Sequence, residues 1–261
     1  MKRSIIVTAI CLLLTLFGCG GDRPNNKPIT LDAAKAMSVP VENIQATKEQ
    51  MERRKRSEAV CRSHAVPIYT NPNAMFLDPA DQVAVRTSDE IVDRAIALCY
   101  LELKSEKADK KMLAEVEKKY RVMEKLTTAE KEFALNENPS SQQLTDANWR
   151  AEGFHIMLWV LGYIDSLVYP DKLCDVRSDV KYLFSRSEKE FREQAKLRSK
   201  AEILDQADLI LRLDWACVNS RVSNEPVPGN LDKGVVYERH YALNWIIRLM
   251  DQDWDGVTTD T

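Results

Sequence analysis

The sequence contains little glycine: eight residues among 261, three of which are at positions 18, 20 and 21. It also lacks segments in which apolar and polar residues alternate, and this argues against half-buried β-strands. Leu, Ala, Glu and Lys are abundant, and apolar residues recur at helical spacing over long stretches. We therefore predict an all-α fold: a single compact multi-helix domain, or two closely packed helical halves.

Long runs of positive charge are missing as well. The longest is RRKR at residues 53–56, and the net charge is −3. This composition argues against nucleic-acid binding. The patterns G-x-S-x-G, H-E-x-x-H, G-x-G-x-x-G and the P-loop are absent too, which together disfavours the common hydrolases and nucleotide-binding proteins.

The N-terminal residues are typical of a lipoprotein signal peptide. Residues 2–3 are basic, and the apolar stretch at 5–17 is too short for a membrane-spanning helix. The tetrapeptide LFGC at 16–19 resembles a bacterial lipobox, which predicts cleavage after Gly18 and a lipid on Cys19. The alternative is an uncleaved N-terminal anchor.

This N-terminus gives a three-part organisation. Residues 1–18 are the predicted signal peptide, 19–46 the lipidated cysteine and a flexible tether, and 47–261 the helical domain. A body tethered in this way lies outside the cytoplasm, in the periplasm of the cell envelope. Gly20 follows Cys19, and the lack of Asp there favours the outer membrane of a Gram-negative host. The expected partners are the membrane, through the lipid on Cys19, and a candidate envelope protein.

Four cysteines fall in the predicted helical domain: Cys61, Cys99, Cys174 and Cys217. An oxidising compartment permits two disulfides among them, in three connectivities; the alternative is four reduced and mostly buried thiols. Cys61 and His64 form a lone C-x-x-H pair with no second pair at zinc spacing, so we do not predict a metal site there.

Helical periodicity and capping signals place the helices. Thr127 with Glu130 and Ser199 with Glu202 have the spacing of capping boxes. Residues 153–164 are apolar except for His155, which predicts a central helix buried on several sides. The predicted helices are 47–64, 88–104, 109–125, 128–137, 142–165, 187–196, 199–222 and 234–250.

Three of these helices each carry one charged residue on their apolar face: Glu152, Asp214 and Arg239. A lone buried charge costs several kcal/mol, so such groups need partners. We predict a buried structural ion cluster in which Arg239 pairs with Asp214, Glu152 or both. Together with His240, these residues are also the candidate catalytic set, and a purely structural ion-paired core is the alternative.

Other polar residues carry simpler predictions. Asp208 and Arg212 lie one turn apart on the predicted outer face and should form an exposed pair of small energetic value. His240 and Asn244 lie at the edge of the apolar face of their helix, where the histidine could shuttle protons or be a satisfied interface residue.

The C-terminal stretch DQDWDGVTTDT begins like a calcium-binding loop. Asp251, Asp253 and Asp255 alternate before Gly256, but the glutamate of the twelfth position is missing. We therefore expect no metal and no cofactor, with calcium at these three aspartates as the alternative.

Several stretches resemble the bacterial domain-of-unknown-function family 4272. They are ILDQADLILRLDWACV at 203–218, GVVYERHYALNWII at 234–247, WDGVTTDT at 254–261, WRAE at 149–152 and LWVLGYID at 158–165. The resemblance covers about residues 55–261. It implies a mostly helical domain with no established activity, substrate or cofactor, and a fold that needs no disulfide.

The resemblance also gives a second interpretation of the C-terminus. Trp254 and Val257 would anchor the last residues on the core, and Asp260 would reach a helix N-terminus or an arginine such as Arg239. The function that the sequence favours is a helical binding or interaction module of the cell envelope; the alternative is an unfamiliar hydrolase or transferase.

Overall fold

The computed structural model describes residues 44–261, which fold into α-helices without β-strands, as the sequence predicted. The expected signal peptide, Cys19 and nearly all of the expected tether lie outside the described residues. Within residues 44–261, no helix combines the length and apolar character needed to cross a membrane. The helices are α1 (Lys48–Ser63), α2 (Ser88–Ser105), α3 (Lys110–Tyr120), α4 (Thr128–Leu135), α5 (Ser141–Trp149), α6 (Ala151–Val160), α7 (Val176–Phe184), α8 (Glu188–Gln194), α9 (Lys200–Val222) and α10 (Lys233–Ile246).

Capping boxes fix the start of several helices. The predicted boxes of Thr127 with Glu130 and of Ser199 with Glu202 are both formed. In each, the hydroxyl accepts a bond from the backbone N–H three residues on, and the glutamate accepts one from the backbone N–H of the capping residue. At α2 the capping residue is Thr87, which forms a capping box with Glu90.

Helix α6 is the centre of the core. Phe154, Ile156, Met157 and Leu158 on this helix are completely buried. It packs against α2 and α10, while α9 packs against α10 and α1. A helix that is apolar all round needs neighbours on several sides, and this arrangement supplies them.

The predicted helix 142–165 is two helices. At Arg150 the backbone N–H bonds to the carbonyl of Ala147, three residues back, so the α-helical ladder is interrupted between α5 and α6. Helix α6 then ends at Val160, and Gly162 has φ +76°. A Cβ at Gly162 would lie 2.8 Å from the carbonyl oxygen of Lys196, so this turn requires glycine.

Helix α10 ends at Ile246, four residues before the predicted end. Arg248 and Met250 both take left-handed backbone conformations, with φ of 51° and 55°, which an α-helix cannot continue through. Met250, the last residue of the predicted helix 234–250, is 77% exposed.

Helix α7 was not predicted. It is nine residues long, and Val176, Val180 and Leu183 are its apolar positions at helical spacing. Asp175 caps its first turn by accepting a bond from the backbone N–H of Ser178.

The four described cysteines are free thiols: Cys61, Cys99 and Cys217 are buried, and Cys174 is partly exposed. Of the two alternatives that the sequence left open, the structure has the reduced one.

The C-terminal residues dock onto the core. Trp254 is 4% exposed and packs edge-on against Tyr241 and Trp245, at ring-centroid distances of 5.1 and 5.4 Å. The carbonyl of Trp254 accepts a hydrogen bond from the hydroxyl of Tyr241. Asp260 is exposed and does not pair with Arg239, whose partners are described below.

We predict that Trp254→Ala destabilises the protein by about 3–5 kcal/mol, since it removes a buried aromatic side chain from a packed cluster. Urea unfolding monitored by circular dichroism measures this change. Met250→Ala is the matched control in the same segment and should change stability by less than about 0.5 kcal/mol, because the side chain is exposed. Equal effects of the two substitutions would contradict the docking.

Candidate functional site

A buried ion pair joins α6 to α10. Arg239 and Glu152 are 2% and 1% exposed, and the Nε of Arg239 donates to Oε2 of Glu152 at 3.0 Å. The Nη1 of Arg239 donates to the carbonyl of Val168 at 2.7 Å, and Oε1 of Glu152 accepts from the backbone N–H of Cys174 at 2.6 Å. The pair therefore holds the loop between α6 and α7 at two points.

Asp214, the other predicted partner of Arg239, pairs elsewhere. Its Oδ2 lies 2.8 Å from Nδ1 of His240, and both side chains are buried between α9 and α10. His240 is thus a partnered interface histidine in this structure. The four candidate catalytic residues form two separate pairs, Glu152 with Arg239 and Asp214 with His240.

The prediction for Asp208 and Arg212 was wrong. The two residues are 1% and 3% exposed and are joined by two hydrogen bonds of 2.9 Å each. Arg212 also donates to the carbonyl of Met75 at 3.0 Å. The long segment between α1 and α2 therefore covers this face of α9, and helical periodicity alone does not reveal such a cover.

Another buried pair joins α6 to α7. Nδ1 of His155 lies 2.7 Å from Oδ2 of Asp179 in the first turn of α7. The thiol of Cys174 is nearby: one ligand atom from each of His155, Cys174 and Asp179 lies within 4.8 Å of the other two. The thiol itself is 3.7 Å from the carbonyl of Ala151.

A polar cavity of about 220 Å³, which we call the acidic cavity, opens beside Cys174. It runs between the end of α2, the α5–α6 junction and the start of α7. Its lining includes three glutamates and a thiol. The residues that line it are Glu102, Glu106, Asn148, Trp149, Ala151, Glu152, Leu173, Cys174, Asp175, Val176 and Arg177.

Burial sets the protonation of two groups in this cavity. Burial, aided by the charge of Glu106, raises the pKa of the Glu102 carboxyl well above its usual 4.5. Burial likewise raises the pKa of the Cys174 thiol well above 9.0, and the charges of Glu152 and Asp179 add to the effect. At neutral pH the thiol is protonated, so by itself it is a poor nucleophile.

A second cavity, of about 280 Å³, is lined by Arg239; we call it the Arg239 cavity. Its wall is mostly apolar and comes from α1, α6, α9, α10 and the loop before α7. The residues that line it are Val60, His64, Ile156, Leu167, Val168, Tyr169, Pro170, Gln206, Leu209, Ile210, Leu213, Arg239 and Leu243. The ring of His64 stacks on Tyr169 at a centroid distance of 3.7 Å.

Sequence reasoning missed Glu102, Cys174 and Asp179. Glu102 could have been found, since it interrupts the apolar stretch at residues 95–103 of α2. Asp179 could not be placed without predicting α7, and Cys174 lies in an irregular loop. Their approach to His155 depends on how that loop folds over α6.

The aspartates of the C-terminal stretch lie away from this region. Asp251, Asp253 and Asp255 are exposed, and Asp251 lies 3.4 Å from Nη1 of Arg248. Among the residues described, the group spaced to share a metal ion is that of His155, Cys174 and Asp179. Calcium binding by the three aspartates stays the alternative to the prediction that no metal binds there.

Comparison with known proteins identifies the chain at the level of family. Residues 53–257 match the family described as Domain of unknown function (DUF4272). Neither the curated proteins nor the solved structures contain a significant match to the chain.

We predict that Arg239→Met destabilises the protein by about 3–5 kcal/mol, because it leaves the Glu152 carboxylate buried without its cation. The double variant with Glu152→Gln should lose less than the sum of the two single losses, since neither charge is then stranded. Arg56→Met is the control: Arg56 pairs with Asp205 at the surface, where an ion pair contributes roughly 0–1 kcal/mol. Denaturant unfolding of Arg239→Met, Glu152→Gln, the double variant and Arg56→Met measures the change in stability caused by each. A loss in the double variant equal to the sum of the two single losses would contradict the pairing.

We also predict that Glu102→Gln stabilises the protein at neutral pH. The folded-state pKa of Glu102 is raised, so the stability due to its neutral form is present below the unfolded pKa and is lost as pH rises through the folded value. Gln stays neutral throughout. The melting temperature of the variant should exceed that of the wild type at about pH 8, and the difference should shrink toward about pH 4.

Glu132→Gln, on the exposed side of α4, is the control for this pH series. Its melting temperature should follow that of the wild type across the same range. A Glu102→Gln variant that is less stable than the wild type at about pH 8 would contradict a raised folded-state pKa of the Glu102 carboxyl.

Proposed function

The chain belongs to the DUF4272 family, and we propose that it is a lipid-anchored binding module of the bacterial cell envelope. In this proposal the Arg239 cavity holds a small apolar molecule that ends in a carboxylate. The observation that carries the proposal is an unsatisfied donor, the Nη2 of Arg239, in a residue that lines this cavity.

The hydrogen bonds of Arg239 leave donors for a ligand. Its Nε is bound to Glu152 and its Nη1 to the carbonyl of Val168, but its buried Nη2 has no hydrogen-bond partner. A buried N–H without a partner costs about 1–3 kcal/mol, and an acceptor brought by a ligand would recover that cost. A carboxylate suits an arginine because it can accept two parallel N–H bonds.

The rest of the cavity favours an apolar body for this ligand. Leu167, Leu209, Ile210, Leu213 and Leu243 are among its lining residues. Small-molecule sites typically combine such a wall with a few placed polar groups. The volume of about 280 Å³ limits the ligand to a small molecule or to one end of a longer chain.

Placement in the envelope is supported by the N-terminal sequence. The lipobox-like LFGC at 16–19 would lipidate Cys19, and residues 19–46 would connect the lipid to the folded domain. A binding domain tethered to a membrane surface meets ligands or envelope proteins at that surface.

The candidate catalytic residues give less support to an enzyme. Glu152 lines the acidic cavity and Arg239 lines the other cavity, whereas Asp214 and His240 line neither of the two. A general acid or base must reach its substrate within hydrogen-bond distance, and these four side chains do not share one of these cavities. The geometry therefore favours binding over catalysis by this set.

Ligands that differ only at one end test the binding proposal. We expect octanoate to bind the purified full chain in calorimetry and to raise its melting temperature. Octylamine should do neither, because its positively charged ammonium is repelled by the guanidinium of Arg239. Leu209→Trp should fill the cavity and abolish the octanoate effect. Leu144→Trp is the matched control, since Leu144 is also half-buried but lies on α5, outside the cavity.

Two outcomes would contradict the proposal. Equal binding of octanoate and octylamine would show that Arg239 does not select the ligand. Retention of octanoate binding by Leu209→Trp would place the bound molecule elsewhere on the protein.

We predict that Cys19→Ala moves the protein from the membrane fraction to the soluble fraction of cells and abolishes its labelling with a palmitate analogue, because the lipid has no other attachment point in the lipobox. Cys11→Ala, in the apolar part of the signal peptide, is the control and should leave both unchanged. Persistent membrane association of Cys19→Ala would favour the uncleaved anchor instead.

A further inference from the structure

We propose that His155, Cys174 and Asp179 bind a divalent transition-metal ion of the zinc class. The three residues are separate from the Arg239 cavity, so this site does not depend on the ligand proposed above. Their sequence spacing is 19 and 5 positions, which matches no short metal-binding motif, and the fold alone brings them together.

The distances suit one ion. Bonds of about 2.3 Å to sulfur and about 2.0–2.2 Å to nitrogen or oxygen place tetrahedral ligand atoms roughly 3.3–3.8 Å apart. Here one ligand atom from each residue lies within 4.8 Å of the others, and Nδ1 of His155 is 2.7 Å from Oδ2 of Asp179. Small side-chain movements convert the arrangement into a coordination shell: the Cys174 thiol releases its proton to solvent on binding, and the ion takes the place of the hydrogen bond between His155 and Asp179.

The donor set selects the class of ion. Thiolate, imidazole and carboxylate together are ligands of zinc and of the similar ions cobalt and cadmium, whereas calcium and magnesium require oxygen ligands. The charges agree with this choice. The charge of Glu152 is already matched by Arg239, whereas Asp179 lies close enough to Cys174 to affect it electrostatically, and a dication between these two ligands would offset their negative charge.

The backbone around the three residues is already held in place. His155 lies on α6, the buried centre of the core, and Asp179 lies in the first turn of α7. The N–H of Cys174 is fixed by Oε1 of Glu152 at 2.6 Å. Asp175 caps α7 by accepting a bond from the backbone N–H of Ser178 at 3.2 Å. The cost of ordering the ligands on binding is therefore small.

The acidic cavity gives the ion a route and an open coordination position. Cys174 lines this cavity and is partly exposed, while His155 and Asp179 are buried behind it. Zinc sites that bind an exchangeable water have this arrangement: the protein supplies three ligands, and the fourth position faces a water-accessible cavity. Glu102 and Asn148 line the same cavity, where such a water would lie.

Cobalt titration of the full chain tests the site. The purified protein is stripped of metal with a chelator and titrated with Co²⁺. We expect one equivalent to produce the sulfur-to-cobalt charge-transfer band in the near ultraviolet and the visible bands of a tetrahedral ion, and Zn²⁺ to remove both. Cys174→Ser should lose the charge-transfer band, and Asp179→Asn should weaken cobalt binding at least tenfold.

The control is Cys217→Ser, which removes a buried cysteine on α9 and should leave the spectrum unchanged. Absence of the band at one equivalent in the wild type, or its persistence in Cys174→Ser, would overturn the proposal.

A second measurement needs no variant, and it decides the matter if the substitutions prevent folding. Zn²⁺ should slow alkylation of Cys174 in the wild type at least tenfold, as measured by mass spectrometry of peptides, and leave the rate at Cys217 unchanged. Unchanged alkylation of Cys174, or equal slowing at both cysteines, would count against a specific site.

Discussion

The buried pair of Arg239 and Glu152 is the constraint on which the functional region depends. It joins α10 to the central helix α6, and the remaining hydrogen bonds of the two side chains reach Val168 and Cys174. Both of these residues lie in the loop that leads to α7, so one ion pair fixes the path of that loop. The loop in turn forms walls of both cavities, and it brings Cys174 to His155 and Asp179.

Other buried polar side chains of the core are paired as well. Asp214 is matched by His240, and Asp208 is matched by Arg212. Such pairs contribute less net stability than apolar packing would, but breaking any one of them strands a charge, so they fix the relative positions of the helices that carry them. Glu102 differs from these carboxylates, since burial raises its pKa and favours its neutral form at the wall of the acidic cavity.

Helical periodicity located buried charge correctly and named Glu152 among the partners of Arg239, but it left open which carboxylate forms the pair. The helical spacing of apolar residues placed Glu152, Asp214 and Arg239 on apolar faces, and all three are buried. Whether Arg239 meets Asp214 or Glu152 depends on how α9 and α10 are rotated against each other, and rotation is a property of packing. The same limit explains the error at Asp208 and Arg212, where the covering segment comes from a distant part of the chain.

The sequence by itself determined the all-α class, most helix starts and the burial of the central helix, because capping boxes and apolar periodicity act within a few residues of each other. The resemblance to the family also indicated a docked C-terminus through Trp254. Only the tertiary structure decided which charges pair, where the two cavities form, and that His155, Cys174 and Asp179 meet. Those features depend on contacts between residues far apart in the chain. Many of these contacts come from the irregular loop between α6 and α7, which has no periodicity from which its path could be predicted.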